Sequence, residues 1–120
     1  MRQKKQIRVL VKAPGKKAAW QVISYDLKTL QGLVGGRIEH TALAKDLVIL
    51  SDEEMLFKNS RYNCTISGIQ FFGTIVLAGV AGEELADLDF DRDYGVLFPQ
   101  LWRDSASGGA GSSGEGSAAP

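Results

Sequence analysis

The strongest recognition chemistry in the chain sits in the run Asn59-Ser60-Arg61-Tyr62-Asn63. It joins a planar cation, an aromatic face and two amides, the side-chain types that hold a nucleotide or a peptide. Asn59, Arg61, Tyr62 and Asn63 are therefore the candidate ligand-binding residues. The plainer alternative is a polar loop whose tyrosine packs on a sheet.

Other reactive groups are sparse. His40 is the only histidine and Cys64 the only cysteine. A Cys–His nucleophilic pair requires the two side chains about 3 Å apart, with a third group orienting the imidazole; nothing in the spacing demands that. His40 reads as an edge or hydrogen-bonded histidine on the face shared with Ile38 and Ala42, and Cys64 as a small semi-buried hydrophobe. The acidic run from Asp87 to Asp93 fails as a calcium loop. Counted from Asp87, the turn glycine and closing glutamate are replaced by Arg92 and Phe98; counted from Asp89, by Tyr94 and Gln100. One Cys and one His make no zinc set. Gly32, Gly35 and Gly36 lack dinucleotide-loop spacing and end a helix instead of starting one. The chain is expected to use no metal or cofactor, to have no catalytic set, and not to be an enzyme.

The elements that must position these residues follow from periodicity. Ile7, Val9 and Val11 alternate, as in a half-buried strand. Pro14-Gly15 turns the chain, and residues 19–25 form a second strand, giving a hairpin. Asp26 caps a helix whose stripe is Leu27, Leu30 and Val34, with Leu33 beside it. Gly35 takes the left-handed position at its end and Gly36 releases the chain. Gly32, inside the helix, is read as allowing close packing on a strand. Residues 37–43 and 47–50 make a second hairpin, and 51–54 are expected to be polar and exposed. Residues 64–66 form a short strand and 71–80 one central strand. Residues 82–88 are expected to be a short helix, with Glu83 and Glu84 where its dipole favours acids. The apolar 94–102 segment packs back on the core. The sum is an α+β fold: a small, mostly antiparallel sheet of about five strands with one or two short helices.

The chain has 120 residues and no net charge, with a pI near 6.6. Residues 1–104 are expected to form a single domain. Residues 105–120, almost all Gly, Ser and Ala, bury too little apolar surface to offset about 1–2 kcal/mol of ordering entropy per residue, and read as a flexible tail or linker. Charge balance disfavours a nucleic-acid partner. The longest apolar run falls well below the ~18 residues that span a bilayer, so no membrane partner is expected. A lone cysteine and no signal peptide point to the cytoplasm. Basic residues cluster at 2–17 and acidic ones at 83–93, either as solvated, mutually matched faces or as a docking patch.

Four segments in this order resemble a known but uncharacterised family. They are Arg8-Val-Leu-Val-Lys-Ala-Pro-Gly15, Leu30-Gln-Gly-Leu-Val-Gly-Gly-Arg-Ile-Glu39, Leu47-Val-Ile-Leu-Ser-Asp-Glu-Glu54, and Gly73-Thr-Ile-Val-Leu-Ala-Gly79 followed by Gly82-Glu-Glu84. The family is a domain of unknown function met mainly in bacteriophage, plasmid and actinobacterial or Firmicute genomes. The resemblance implies a small cytosolic α+β protein of mobile-element type and brings no catalytic residues. The expected function is a non-enzymatic binding protein, in its concrete form a counter-defence protein that sequesters a nucleotide signal. The rival is a charge-mediated interaction module or inhibitor that docks on a host enzyme.

Overall fold

The computed structural model describes residues 5–103. The 105–120 tail lies outside the described residues. The strands are β1 (Gln6–Lys12), β2 (Ala19–Ser24), β3 (Ile38–Ala44), β4 (Leu47–Asp52), β5 (Tyr62–Ile66), β6 (Ile69–Phe72), β7 (Ile75–Ala81) and β8 (Glu84–Ala86). Helix α1 is Leu27–Val34, α2 is Tyr94–Leu97, and a 3-10 turn closes the described chain at Pro99–Trp102. The architecture is small α+β, as its periodicity predicts.

Six strands form one antiparallel sheet in the order β2-β1-β7-β4-β3, with β8 on the free stretch of β7. Alternation in β1 explains the layering. Ile7, Val9 and Val11 face α1, together with Leu30, Val34, Val48 and Leu50. Leu10 faces the other way, into a cluster with Ile49, Leu77, Ile66, Phe71, Tyr94 and Leu101. Helix α1 thus covers one face; the β5–β6 hairpin, α2 and the 3-10 turn cover the other. Helix α1 starts where Asp26 accepts from Thr29 N–H at 2.8 Å. It ends at Gly35, whose φ of 93° is left-handed.

Several expectations fail for identifiable reasons. Residues 82–88 are no helix. Gly82 turns with φ 66° and β8 pairs back on β7, Gly79 opposite Ala86. Acids beside a turn resemble helix-start acids, and a three-residue strand has too little alternation to overrule them. Residues 71–80 are two strands parted by Gly73, β6 in the small hairpin and β7 in the main sheet. Ser51 and Asp52 are buried, because β4 runs on through both. Leu27 lies on the exposed flank of α1 at 63%. Gly32 faces open space, so it packs against nothing.

Gly79 is different: a Cβ there would overlap the Asp87 carbonyl oxygen. Beyond β8 the chain runs beside β1, where Leu88 N–H donates to the Arg8 carbonyl at 2.8 Å and the Asp87 carboxylate accepts from Arg8 N–H at 2.7 Å. That placement needs a bare backbone at residue 79. One chemical change should therefore have two signs. Gly79→Ala is expected to cost roughly 3 kcal/mol through backbone displacement, while Gly32→Ala gains up to about 1 kcal/mol of helix propensity. Urea midpoints of the two variants should move in opposite directions from wild type.

Candidate functional site

The segment from 53 to 74 interrupts the main sheet between two neighbouring strands, β4 and β7. It is stapled at both ends. At the first, the Asp52 carboxylate accepts from Glu54 N–H at 2.9 Å and from the Lys58 ammonium at 2.9 Å. Lys58 also donates to the Gly35 carbonyl at 3.0 Å, one of those left free where α1 ends. Gly36 leaves room for this joint; a Cβ there would lie 2.6 Å from Lys58 Nζ and 2.8 Å from Asp52 Oδ1. Burial disfavours the Asp52 charge, yet the hydrogen bonds from Lys58 and Glu54 N–H outweigh it and hold the carboxyl below its ordinary value.

At the second staple, Asn63 is buried, and its Nδ2 donates to the Lys12 and Gly73 carbonyls, both at 2.8 Å. Of the four sequence candidates, Asn63 is thus first a brace between β1 and the β6–β7 turn. Its neighbour Tyr62 is half-exposed. The Tyr62 hydroxyl shares a hydrogen bond with Thr65 Oγ1 at 2.7 Å, and its ring stands edge-on to Phe72 with centroids 5.5 Å apart. Asn59 is exposed with φ 54°. Arg61 is exposed too, and its carbonyl accepts from Gly73 N–H at 2.7 Å.

Tyr62 and Asn63 line a cavity of ≈ 860 Å³ between the β5–β6 hairpin and the 3-10 turn, together with Phe72, Gln70, Gln100 and Arg103. Asn59 and Arg61 are not among its lining residues. Arg103 supplies the guanidinium expected of Arg61. Gln100 secures the wall by donating Nε2 to the Thr65 carbonyl at 2.8 Å, leaving its Oε1 for a ligand. The β5–β6 turn that shapes the hairpin has a local signal, Ser67-Gly68. Both residues have positive φ, 53° and 80°, as a two-residue type I′ turn requires. The approach of Gln100 and Arg103 has none, since they arrive from the far end of the domain.

His40 and Cys64 lie on opposite sides of the main sheet. His40 lines a second groove, of ≈ 710 Å³, between α1 and β3. Cys64 belongs to the other core, where burial drives its thiol up to about 11, partly offset by the Lys12 charge. The two cannot form a pair within one chain, and the thiol is protonated at neutral pH. Among the described residues no group of three or more His, Cys, Asp or Glu could hold a metal. No described helix is long and apolar enough to cross a membrane. Within the acidic segment Glu84 meets Lys5 at 3.4 Å and the Asp87 carboxylate accepts from Arg8 N–H; the segment's arginine, Arg92, instead reaches Asp46 outside it at 3.5 Å, and the Arg8 guanidinium lies 4.7 Å from the centre of the Phe90 ring.

The family profile described as "domain of unknown function (DUF3846)" matches residues 7–95. The chain belongs to the DUF3846 family. The match spans β1 through the start of α2, so the Leu-Val-Gly-Gly motif, both staples and the β5–β6 hairpin lie inside it, while Gln100 and Arg103 lie beyond it. Comparison with curated proteins and with solved structures finds no match.

The first staple carries a pH signature. A carboxyl held below its ordinary value stabilises the fold fully above its unfolded-state pKa. That contribution is lost as pH falls through the folded-state value. Asp52→Asn should therefore flatten the acid limb of the stability profile. Asp52→Ala, which leaves Glu54 N–H and Lys58 without their acceptor, is expected to cost about 2 kcal/mol at neutral pH. Urea midpoints measured across the acid range check both.

Proposed function

We propose that this DUF3846 protein is a non-enzymatic binding protein for a planar, anionic ligand of nucleotide type, held in the cavity beside Tyr62. One observation carries the reading: two aromatic rings, three amide side chains and a guanidinium line a single cavity of ≈ 860 Å³, within the size range of small-molecule sites. The chemistry has a division of labour. A base stacks on the exposed Tyr62 ring, the amides of Gln70 and Gln100 meet its polar edge, and Arg103 pairs with phosphate. No group in the cavity is poised as a nucleophile, and Cys64 stays protonated, which supports binding without turnover.

In biological terms we read the protein as a cytoplasmic sequestering protein of phage or plasmid type, acting against a defence signal made of nucleotide. The rival, charge-driven docking on a host enzyme, loses part of its motive because Lys5 of the basic cluster pairs with Glu84 of the acidic segment within the chain.

The test is calorimetric titration and thermal unfolding against nucleoside monophosphates and cyclic dinucleotides. A true ligand at about 100 times its Kd raises stability by about 2.7 kcal/mol, an upward Tm shift of several degrees for a domain this size. Tyr62→Ala should weaken binding about tenfold or more. Arg103→Ala should weaken binding of the phosphorylated ligand and leave the parent nucleoside unaffected, and Arg61→Ala should change neither. No thermal shift with any nucleotide at millimolar concentration overturns the reading.

A further inference from the structure

Strand β3 ends the main sheet, and its outer backbone edge meets no other strand among the described residues. Sheet edges of this kind template pairing with another chain unless something blunts them. No proline interrupts Ile38–Ala44. Against β4 its register is regular from Ile38 to Ala42 and slips only between Ala42 and Ala44. A flat run of five residues is therefore open. On its α1 side it presents Ile38, His40 and Ala42, which border the ≈ 710 Å³ groove. A net charge of zero puts no long-range repulsion between copies.

Symmetry restricts how two such edges can meet. Opposed residues in an antiparallel pair share a face, and a two-fold axis perpendicular to the sheet preserves faces. One residue must then lie opposite itself. Glu39 on the axis opposes two carboxylates. Thr41 sets Arg37 against Lys45 and, like Ala42, drives the seam through the bulge. Ile38 leaves half the strand unpaired. His40 remains: it pairs Ile38 with Ala42 and Glu39 with Thr41 on either side, and the seam ends before the bulge. We propose that the protein forms a two-fold dimer through β3, with His40 of each copy facing its counterpart across the axis.

This geometry makes the dimer acid-sensitive, because like charges directly opposite each other in a sheet repel and an imidazole gains its proton as pH falls from about 8 to 5. The other charged or titratable groups on that groove are Arg37, Lys45, Glu53, Glu83, Glu84 and Tyr25. Glu53 is engaged by Arg37 at 3.6 Å and Glu84 by Lys5 at 3.4 Å, and Glu39 points to the opposite face. In this register no other charged residue of β3 opposes a like charge, whereas the two imidazoles face each other. None of the seam residues 38–42 lines the Tyr62 cavity, so the dimer stands or falls apart from the ligand reading.

Sedimentation equilibrium of the full chain provides the test. Wild type should dimerise at pH 8, with association roughly fivefold weaker or more at about pH 5.5. His40→Gln should dimerise at both pH values to the same extent. Ala42→Lys, on an exposed position, should be monomeric with an unchanged unfolding temperature. A wild-type monomer at about 100 µM and pH 8 overturns the proposal. So does a pH response that survives in His40→Gln, or a dimer that Ala42→Lys leaves intact.

Discussion

The constraint on which the rest depends is the insertion of β7 between two hairpins that cannot reach each other. The β1–β2 and β3–β4 pairs form from local sequence, yet neither pairs directly with the other. Leu10 to Lys12 meet one side of β7, and Leu47 to Leu50 meet the other. Ile75, Val76, Leu77 and Ala78 are fully enclosed as a result, supplying apolar contact to both cores at once. A central strand that arrives late in sequence imposes long loop closures. The sheet is accordingly a non-local structure whose cooperativity rests on one segment. The same segment tolerates no side chain at Gly79, because the chain after β8 must press against it to continue along β1.

That topology also explains where variable chemistry can be placed. The connection from β4 to β7 joins adjacent antiparallel strands, a task a short turn could perform. Instead it carries an entire third hairpin, β5–β6. Such an insertion is free to drift unless both ends are tied, and the two ties differ in kind. Lys58 with Asp52 is an ionic joint that reaches across to the terminus of α1. Asn63 is a neutral amide joint that reaches β1. Together with Ile66 and Phe71, which are buried against the sheet, they place the Tyr62 ring; the stretch before β5 packs thinly, with Leu56 and Phe57 largely exposed.

Much of this fold was legible because its periods are clean. Alternation in 7–12 and 37–43 and the cap at Asp26 each say which element forms and which face it buries. The errors cluster where the period fails. The apolar run through 71–80 has no alternation to reveal that Gly73 breaks it. Residues 82–88 are charged at the turn and short in the strand, so helical and extended readings compete on equal terms until β7 offers hydrogen bonds. The site was half legible. Tyr62 and Asn63, singled out by residue type, both line one cavity, and Asn59 and Arg61 do not. Type could not distinguish Arg61 from Arg103, because which arginine lines the cavity is decided by the 3-10 turn returning over β5, a contact between residues far apart in the chain.

Asn63 shows why a binding-type residue need not be free to bind. Two carbonyls, of Lys12 and Gly73, converge where β1 ends and the β6–β7 turn begins, and both accept from Asn63 Nδ2. A single uncharged group that donates twice from one atom is required, and a side-chain amide supplies it where a hydroxyl, with one proton, cannot. The remaining Oδ1 is enclosed with no hydrogen-bond partner among the described residues, a burden of order 1–3 kcal/mol. Leaving two backbone carbonyls unsatisfied would cost more than leaving one amide oxygen so. That inequality accounts for a polar side chain deep in the domain. It also sets Asn63, which holds the wall, apart from Tyr62, Gln70, Gln100 and Arg103, which line the same cavity and carry the recognition we propose.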